Sequence, residues 1–339
     1  MARYIEVLVT IPFNEAQQLM IKESVHGVKI KWVAARRVED IPEDVWAKTE
    51  VLYTDRVIPL PEQAPALRWV QFHFAGIDFA IKSPLIAKPN LQMTNLSGSA
   101  SSQVAEYIVM ALLALGHRLP DLGLAQSTCE WPKDRWERFA PQELRGSTVC
   151  LVGYGSIGRQ VARLLQPFGV RVMAVKRDAM HPEDTGYTPV GMGDPGGDMF
   201  TRLYPVQALR SVLRESDFIV ICVPLTSATQ KLIGAEELAA CKPGAYLINI
   251  SRGEIVDESA LIQALQEKKL AGAALDVFAN EPLAEDNPLW RMQNVIITPH
   301  IAGNSRLYNE RAAILFAENL KRYVSGQSLL NLVQPETGY

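Results

Sequence analysis

The sequence predicts an α/β protein of two doubly wound, parallel-sheet domains, and three observations support that prediction. Strand-like apolar runs alternate with helical or polar stretches along most of the chain. At 339 residues, the chain is longer than one hydrophobic core usually organises. A second alternating series begins at Ser147, and its first strand runs directly into a glycine-spaced turn.

The first series places strands over 5–10, 51–53, 69–72 and 91–94, separated by polar or helical stretches. The small polar residues of 97–102 then lead into 104–115, whose apolar side chains fall on nearly every face of a helix. Ser101 or Ser102 can cap that helix. In the second series, strand 148–152 is followed by helix 157–166 and strand 171–176. Strands over 218–223 and 245–250, helix 258–268, and strands over 272–277 and 295–298 complete it. Such a sheet takes its ligand at the carboxyl ends of its strands. The Gly-, Pro- and Asp-rich stretch 178–205 is too long for an ordinary connection and reads as an inserted surface excursion. Helical patterning returns over 304–324, and 326–339 reads as a polar tail with two short apolar anchors.

Composition excludes several classes. The chain is 48% apolar and 21% charged, as soluble globular proteins are. Its formal charge of -3 gives no electrostatic reason to expect nucleic acid or an anionic membrane as a partner. No apolar run reaches the roughly 20 residues that span a bilayer. The N-terminus, with Glu6, reads as a strand rather than a signal peptide. Cys129, Cys150, Cys222 and Cys241 are scattered, without C-x-x-C spacing, so a reduced, cytoplasmic protein is expected. No cluster has zinc-ligand spacing, and no metal is expected.

The turn after strand 148–152 is Gly153-Tyr-Gly-Ser-Ile-Gly158, a G-x-G-x-x-G between a strand and a helix. Gly153 permits the tight turn, Gly155 lets backbone approach a pyrophosphate, and Gly158 lets helix and strand pack closely. Ser156 and Ile157 complete the turn at the helix N-terminus, whose dipole favours phosphate. A dinucleotide site is therefore expected here. The following strand ends in Lys176-Arg177-Asp178. The usual position for a carboxylate that accepts from the ribose 2′-hydroxyl falls on Lys176, with Arg177 beside it, and a 2′-phosphate wants cations there. NADP(H) is favoured on this register. A slip of two residues would give the ribose to Asp178 and favour NAD(H), and solvated surface charges are the third reading.

Three later strands end in segments that each bring one reactive side chain to the same sheet edge. These are Asn249-Ile-Ser-Arg-Gly253, Leu275-Asp-Val-Phe-Ala-Asn-Glu-Pro282 and Thr298-Pro-His-Ile-Ala-Gly303. Reduction of a 2-keto acid needs a planar cation for the carboxylate, a proton donor for the carbonyl oxygen, and a group that keeps the donor protonated. Arg252, His300 and Glu281 match those needs in turn. Taken singly, Arg252 could be a surface ion-pair former, His300 a satisfied loop histidine and Glu281 the solvated tip of a turn.

Gly153–Gly158, Val223-Pro-Leu-Thr226, Ile250-Ser-Arg-Gly253, Ala274-Leu-Asp-Val277, Glu281-Pro-Leu283 and Pro299-His-Ile-Ala302 together resemble the D-isomer-specific 2-hydroxyacid dehydrogenases, which include the glyoxylate and hydroxypyruvate reductases. The resemblance covers almost the whole chain. It implies a central Rossmann dinucleotide-binding domain over 101–304 and a flavodoxin-like substrate domain built from both chain ends, 1–100 and 305–339. It implies Arg252, Glu281 and His300 as the catalytic trio, Asp276 near the nicotinamide carboxamide, and Pro224 and Ile250 along the cofactor groove. Phe74-Ala-Gly-Ile77 looks like the substrate-domain loop, so the amides of Ala75, Gly76 and Ile77 are expected to approach the substrate carboxylate together with Arg252 and His300. Two features depart from the family pattern: Lys176-Arg177 replaces an acidic residue, and 178–205 is an insertion. Rival functions on the same resemblance are a non-enzymatic, dinucleotide-sensing co-repressor and a formate or phosphite dehydrogenase. A homodimer is expected, because helix 104–115 and an aromatic arm over 131–139 offer more apolar surface than one domain should expose.

Overall fold

In a computed structural model, which describes residues 4–334, the chain opens with β1 (Ile5–Val9), and Asn14 then starts α1 (Glu15–Ser24). The Asn14 side chain accepts from Gln17 N at 2.9 Å, and Gln17 returns a bond to Asn14 N at 3.0 Å. This reciprocal cap satisfies two amides that the helix itself cannot. There follow β2 (Val28–Trp32), α2 (Glu43–Lys48), β3 (Val51–Thr54), β4 (Trp69–Phe72), α3 (Asp78–Ile81) and β5 (Gln92–Thr94). Next come α4 (Ser101–Gly116), α5 (Leu119–Ser127), α6 (Arg135–Arg138), β6 (Thr148–Val152), α7 (Ser156–Leu165) and β7 (Arg171–Lys176). Beyond them lie β8 (Arg202–Pro205), α8 (Leu209–Glu215), β9 (Phe218–Ile221), α9 (Ala235–Ala240), β10 (Ala245–Asn249) and α10 (Glu258–Gln266). The last elements are β11 (Leu270–Leu275), β12 (Val295–Ile297) and α11 (Tyr308–Val324).

The chain divides into two units, with the breaks at Ala100/Ser101 and Asn304/Ser305. In the first, five strands pair in the order β2-β1-β3-β4-β5, all parallel. That is the flavodoxin-like order. Every residue of β3 and β4 is buried, as strands covered on both faces must be. Helix α11 returns to complete this unit. Its Phe316 ring lies 4.4 Å from that of Tyr53, Asn319 Nδ2 donates to Gln71 Oε1 at 3.0 Å, and the Tyr323 hydroxyl donates to Glu50 at 3.0 Å.

The second unit is a Rossmann sheet of seven strands in the order β12-β11-β10-β9-β6-β7-β8, again all parallel. The order reverses at β6 and β9. The crevice beyond their carboxyl ends is where an open α/β sheet binds its ligand.

The structure corrects three expectations. The 178–205 excursion is not all surface: its last residues form β8, the edge strand paired with β7, and Asp194 within it is buried. Helix 104–115 offers little apolar surface outward, since Val104, Ala105, Ile108, Ala111, Leu112 and Leu115 are buried and Met110 is exposed. The last helix begins at Tyr308, four residues later than the pattern suggests. Strand β2 was missed. Among the described residues no single helix is long and apolar enough to cross a membrane.

Candidate active site

The glycine turn is shaped by what a side chain would strike. Gly153 has φ +109°, and a Cβ there would sit 2.8 Å from the Cys222 carbonyl oxygen at the end of β9. A Cβ on Gly158 would lie 2.4 Å from the Gly153 carbonyl oxygen. Both positions therefore require glycine for packing. Gly155 differs, because a Cβ there would meet nothing within 4 Å. The space beside its backbone is open, as approach by a pyrophosphate requires. Ser156 and Ile157 begin α7, and Gly155 caps the helix without a side chain, which leaves its first amides to a ligand. These residues fit the phosphates of a dinucleotide.

At the end of β7, Lys176 is half-buried, while Arg177 and Asp178 are exposed. Lys176 Nζ donates to the carbonyls of His181 and Glu183. The Asp178 carboxylate meets His181 Nδ1 at 2.7 Å and accepts from Met180 N at 3.1 Å. Pro224, exposed just past β9, offers its carbonyl to Thr229 Oγ1 at 2.6 Å, and Ile250 is buried just past β10.

Arg252 leaves β10 on a short turn organised by Asn249. The Asn249 Oδ1 accepts from Ser251 N at 3.1 Å and from the Ser251 hydroxyl at 2.9 Å, and its Nδ2 donates to the Arg252 carbonyl at 3.0 Å. Gly253 lets this turn press against the segment after β11, where a Cβ would overlap the Phe278 carbonyl carbon at 1.9 Å. That segment carries Glu281. One Glu281 oxygen accepts from Phe278 N at 3.0 Å, and the other lies 2.7 Å from His300 Nδ1. The Nε2 face of His300 is left to the partly exposed surface.

His300 has φ +53°, and its segment is held from beneath by Asp276. Asp276 is 1% exposed; it accepts from Thr298 Oγ1 at 2.6 Å, Ile301 N at 2.8 Å and Ala302 N at 2.9 Å. The Tyr107 hydroxyl bonds Thr298 at 2.7 Å. Asp276, expected beside a nicotinamide, is seen here to fix the histidine turn. Sequence reasoning missed Asn249, Thr298 and Tyr107. The first two stand inside the quoted motifs, beside the residues singled out, but Tyr107 lies 191 residues from its partner and carries no local signal.

In the first unit, Ala75, Gly76 and Ile77 follow β4 at its carboxyl end, and Ile77 turns its side chain into that unit's core. Among the described residues their three amides donate to no carbonyl, which suits them to an anion.

The family model for the NAD binding domain of D-isomer specific 2-hydroxyacid dehydrogenases matches residues 109–302. The chain belongs to the D-isomer-specific 2-hydroxyacid dehydrogenases. A glyoxylate reductase of Thermofilum pendens is 33% identical over 98% of this chain and 95% of its own length. Among solved structures, a D-isomer specific 2-hydroxyacid dehydrogenase from Xanthobacter autotrophicus, in complex with NADPH and MES, has a TM-score of 0.81 at 27% identity and covers both chains fully. An NADPH-dependent glyoxylate/hydroxypyruvate reductase from Sinorhizobium meliloti, in complex with citrate, has a TM-score of 0.73 at 27% identity over 98% of each chain. The dehydrogenase is thus a nicotinamide-dependent oxidoreductase acting on a small acid, with a Rossmann domain and a second, flavodoxin-like α/β domain.

Proposed function

We propose that this dehydrogenase reduces a small 2-keto acid such as glyoxylate or hydroxypyruvate to the D-2-hydroxy acid, through Arg252, Glu281 and His300, with NADPH favoured over NADH. The observation that carries the reading is the 2.7 Å contact of His300 Nδ1 with Glu281 beside the Arg252 turn. A bound nicotinamide supplies the hydride. Arg252 grips the substrate carboxylate with its planar fork, and His300 gives the proton on Nε2 to the carbonyl oxygen. Glu281, 2.7 Å from Nδ1, fixes the orientation of the His300 ring. The division of labour follows: 101–304 binds the dinucleotide, while 1–100 and 305–339 form the substrate domain. Names borne by relatives support the substrate class.

NADPH preference is supported by the end of β7, where Arg177 is exposed and Asp178, the alternative ribose partner, is engaged by His181. With Lys176 Nζ directed at carbonyls of 181 and 183, Arg177 is the main phosphate ligand. A charge-assisted hydrogen bond is worth roughly 1.5–3 kcal/mol, so a preference of about tenfold or more in kcat/KM is expected. The test is a panel of glyoxylate, hydroxypyruvate, pyruvate, formate and phosphite with both cofactors. NADH equal to NADPH would return the ribose to Asp178. Turnover of formate or phosphite alone would overturn the keto-acid reading.

A further inference from the structure

Between β7 and β8 the chain runs from 177 to 201 without a helix, and it lies along α7, the helix that opens from the glycine turn. Three side chains of α7 reach it. Arg159, 1% exposed, donates to the carbonyls of Asp194 and Pro182 and lies 3.4 Å from the Asp184 carboxylate. Gln160 accepts from Gly193 N at 2.6 Å, and Arg163 donates to the Gly193 carbonyl at 2.6 Å. The glycine turn supplies the fourth. Tyr154, between Gly153 and Gly155, donates its hydroxyl to Asp194 at 2.6 Å, and the Arg159 guanidinium lies 4.8 Å over its ring.

Asp194 is the centre of this network. It is 2% exposed and also accepts from the amides of Gly197 and Asp198, each at 3.1 Å, and Met199 at 3.0 Å. Burial alone would raise its carboxyl, but the bonds from Tyr154 and from the Met199 and Asp198 amides outweigh that and hold it below the ordinary value. A plain connection needs neither a buried carboxylate nor a buried guanidinium, each of which costs several kcal/mol to desolvate. Here both meet the one non-glycine side chain within the first three residues of the turn, Tyr154, through its hydroxyl and its ring.

We propose that the 177–201 segment is a clasp that holds the glycine turn in its cofactor-binding shape, with Tyr154, Arg159 and Asp194 as positioning residues for the dinucleotide. This rests on the dinucleotide reading of that turn and not on which cofactor is preferred. A coupling of this kind is reciprocal: the closed clasp favours cofactor, and bound cofactor disfavours opening of the clasp.

The test begins with Tyr154→Phe. This variant keeps the ring beneath Arg159 and against Phe200, 5.3 Å away, and leaves Asp194 its three amides. The Kd values for NADPH and NADH, followed by fluorescence, should both rise about tenfold, since the lost bond is to a charged group. The ratio between them and kcat at saturating cofactor should not change. Arg159→Lys keeps the charge, loses the fork and should weaken both cofactors in the same way. In the wild-type protein, NADPH should slow hydrogen exchange at the amides of Gly197, Asp198 and Met199. A Tyr154→Phe protein that melts earlier but binds both cofactors within twofold of wild type overturns the clasp. Exchange at those amides that ignores cofactor also overturns it, and decides the matter if the variants do not fold. Wild-type protein that binds neither cofactor overturns the dinucleotide reading as well.

Discussion

His300 holds φ +53°, a region that costs a residue with a Cβ roughly 1 kcal/mol, and the three bonds accepted by the Asp276 carboxylate keep its segment there. The backbone at the histidine is thereby fixed. His300→Gln should lower the reduction rate by about 10²–10⁴-fold, the usual contribution of a general acid. Arg252→Lys should fold normally yet lose most of its kcat/KM, because the charge remains and the fork does not. Glu281→Gln should lower kcat for reduction, because the His300 ring loses the carboxylate that lies 2.7 Å from its Nδ1, and an unchanged kcat removes Glu281 from the mechanism. A second histidine makes a different prediction. Burial pushes the His73 imidazole down to about 4, against a pull upward from Asp55 and Asn309, while Tyr53 bonds its Nδ1 at 2.7 Å. The unfolded chain takes up a proton near 6.5 and the folded chain does not until about 4. Stability from this group is therefore whole above pH 6.5 and falls by about 3 kcal/mol as pH drops to 4, at 1.36 kcal/mol per pH unit. His73→Gln keeps an acceptor for Tyr53 and should lose less melting temperature between pH 7 and 4.5. An equal loss in both proteins would clear His73.

At the scale of elements, the glycine turn separates packing from binding. Gly158→Ala should destabilise the fold by about 1–3 kcal/mol, because the new methyl meets the Gly153 carbonyl oxygen. Gly155→Ala should melt close to wild type and bind cofactor worse, since its methyl enters only open space. Similar melting temperatures for the two variants would refute that separation. The same turn explains what was legible in advance. Strands β6 and β7 coincide with their sequence patterns because both are paired on two sides and carry buried apolar runs, 149–152 and 172–175. Strand β2 escaped notice because Lys29 and Lys31 interrupt an edge strand with one exposed side, and β8 because it ends in Pro205 and pairs on one side only. The candidate trio was readable from three local segments. The network of Tyr154, Arg159 and Asp194 was not, because Asp194 lies 40 residues from Tyr154 and nothing in its Gly- and Pro-rich surroundings marks it as buried.

For the whole molecule, several large apolar side chains remain exposed. Trp131 is 84% exposed and Trp136 79%, with Met110, Leu119 and Leu122 also exposed nearby in sequence. A homodimer is expected to bury them, and light scattering that gives a monomer at micromolar concentration would count against it. Trp131→Ser with Trp136→Ser should weaken that dimer and leave each unit folded. The division of the chain has a consequence of another kind. Because α11 carries Phe316, Asn319 and Tyr323 into the first unit, that unit's core lacks these contacts until its last helix exists. Synthesis proceeds from the amino end, so the first hundred residues leave the ribosome as an unfinished core. They must wait through two hundred residues of Rossmann sheet before their own helix arrives. The unit begun first is the last that can be completed, and a chain cut short after Asn304 would hold a whole nucleotide-binding unit tethered to an open one.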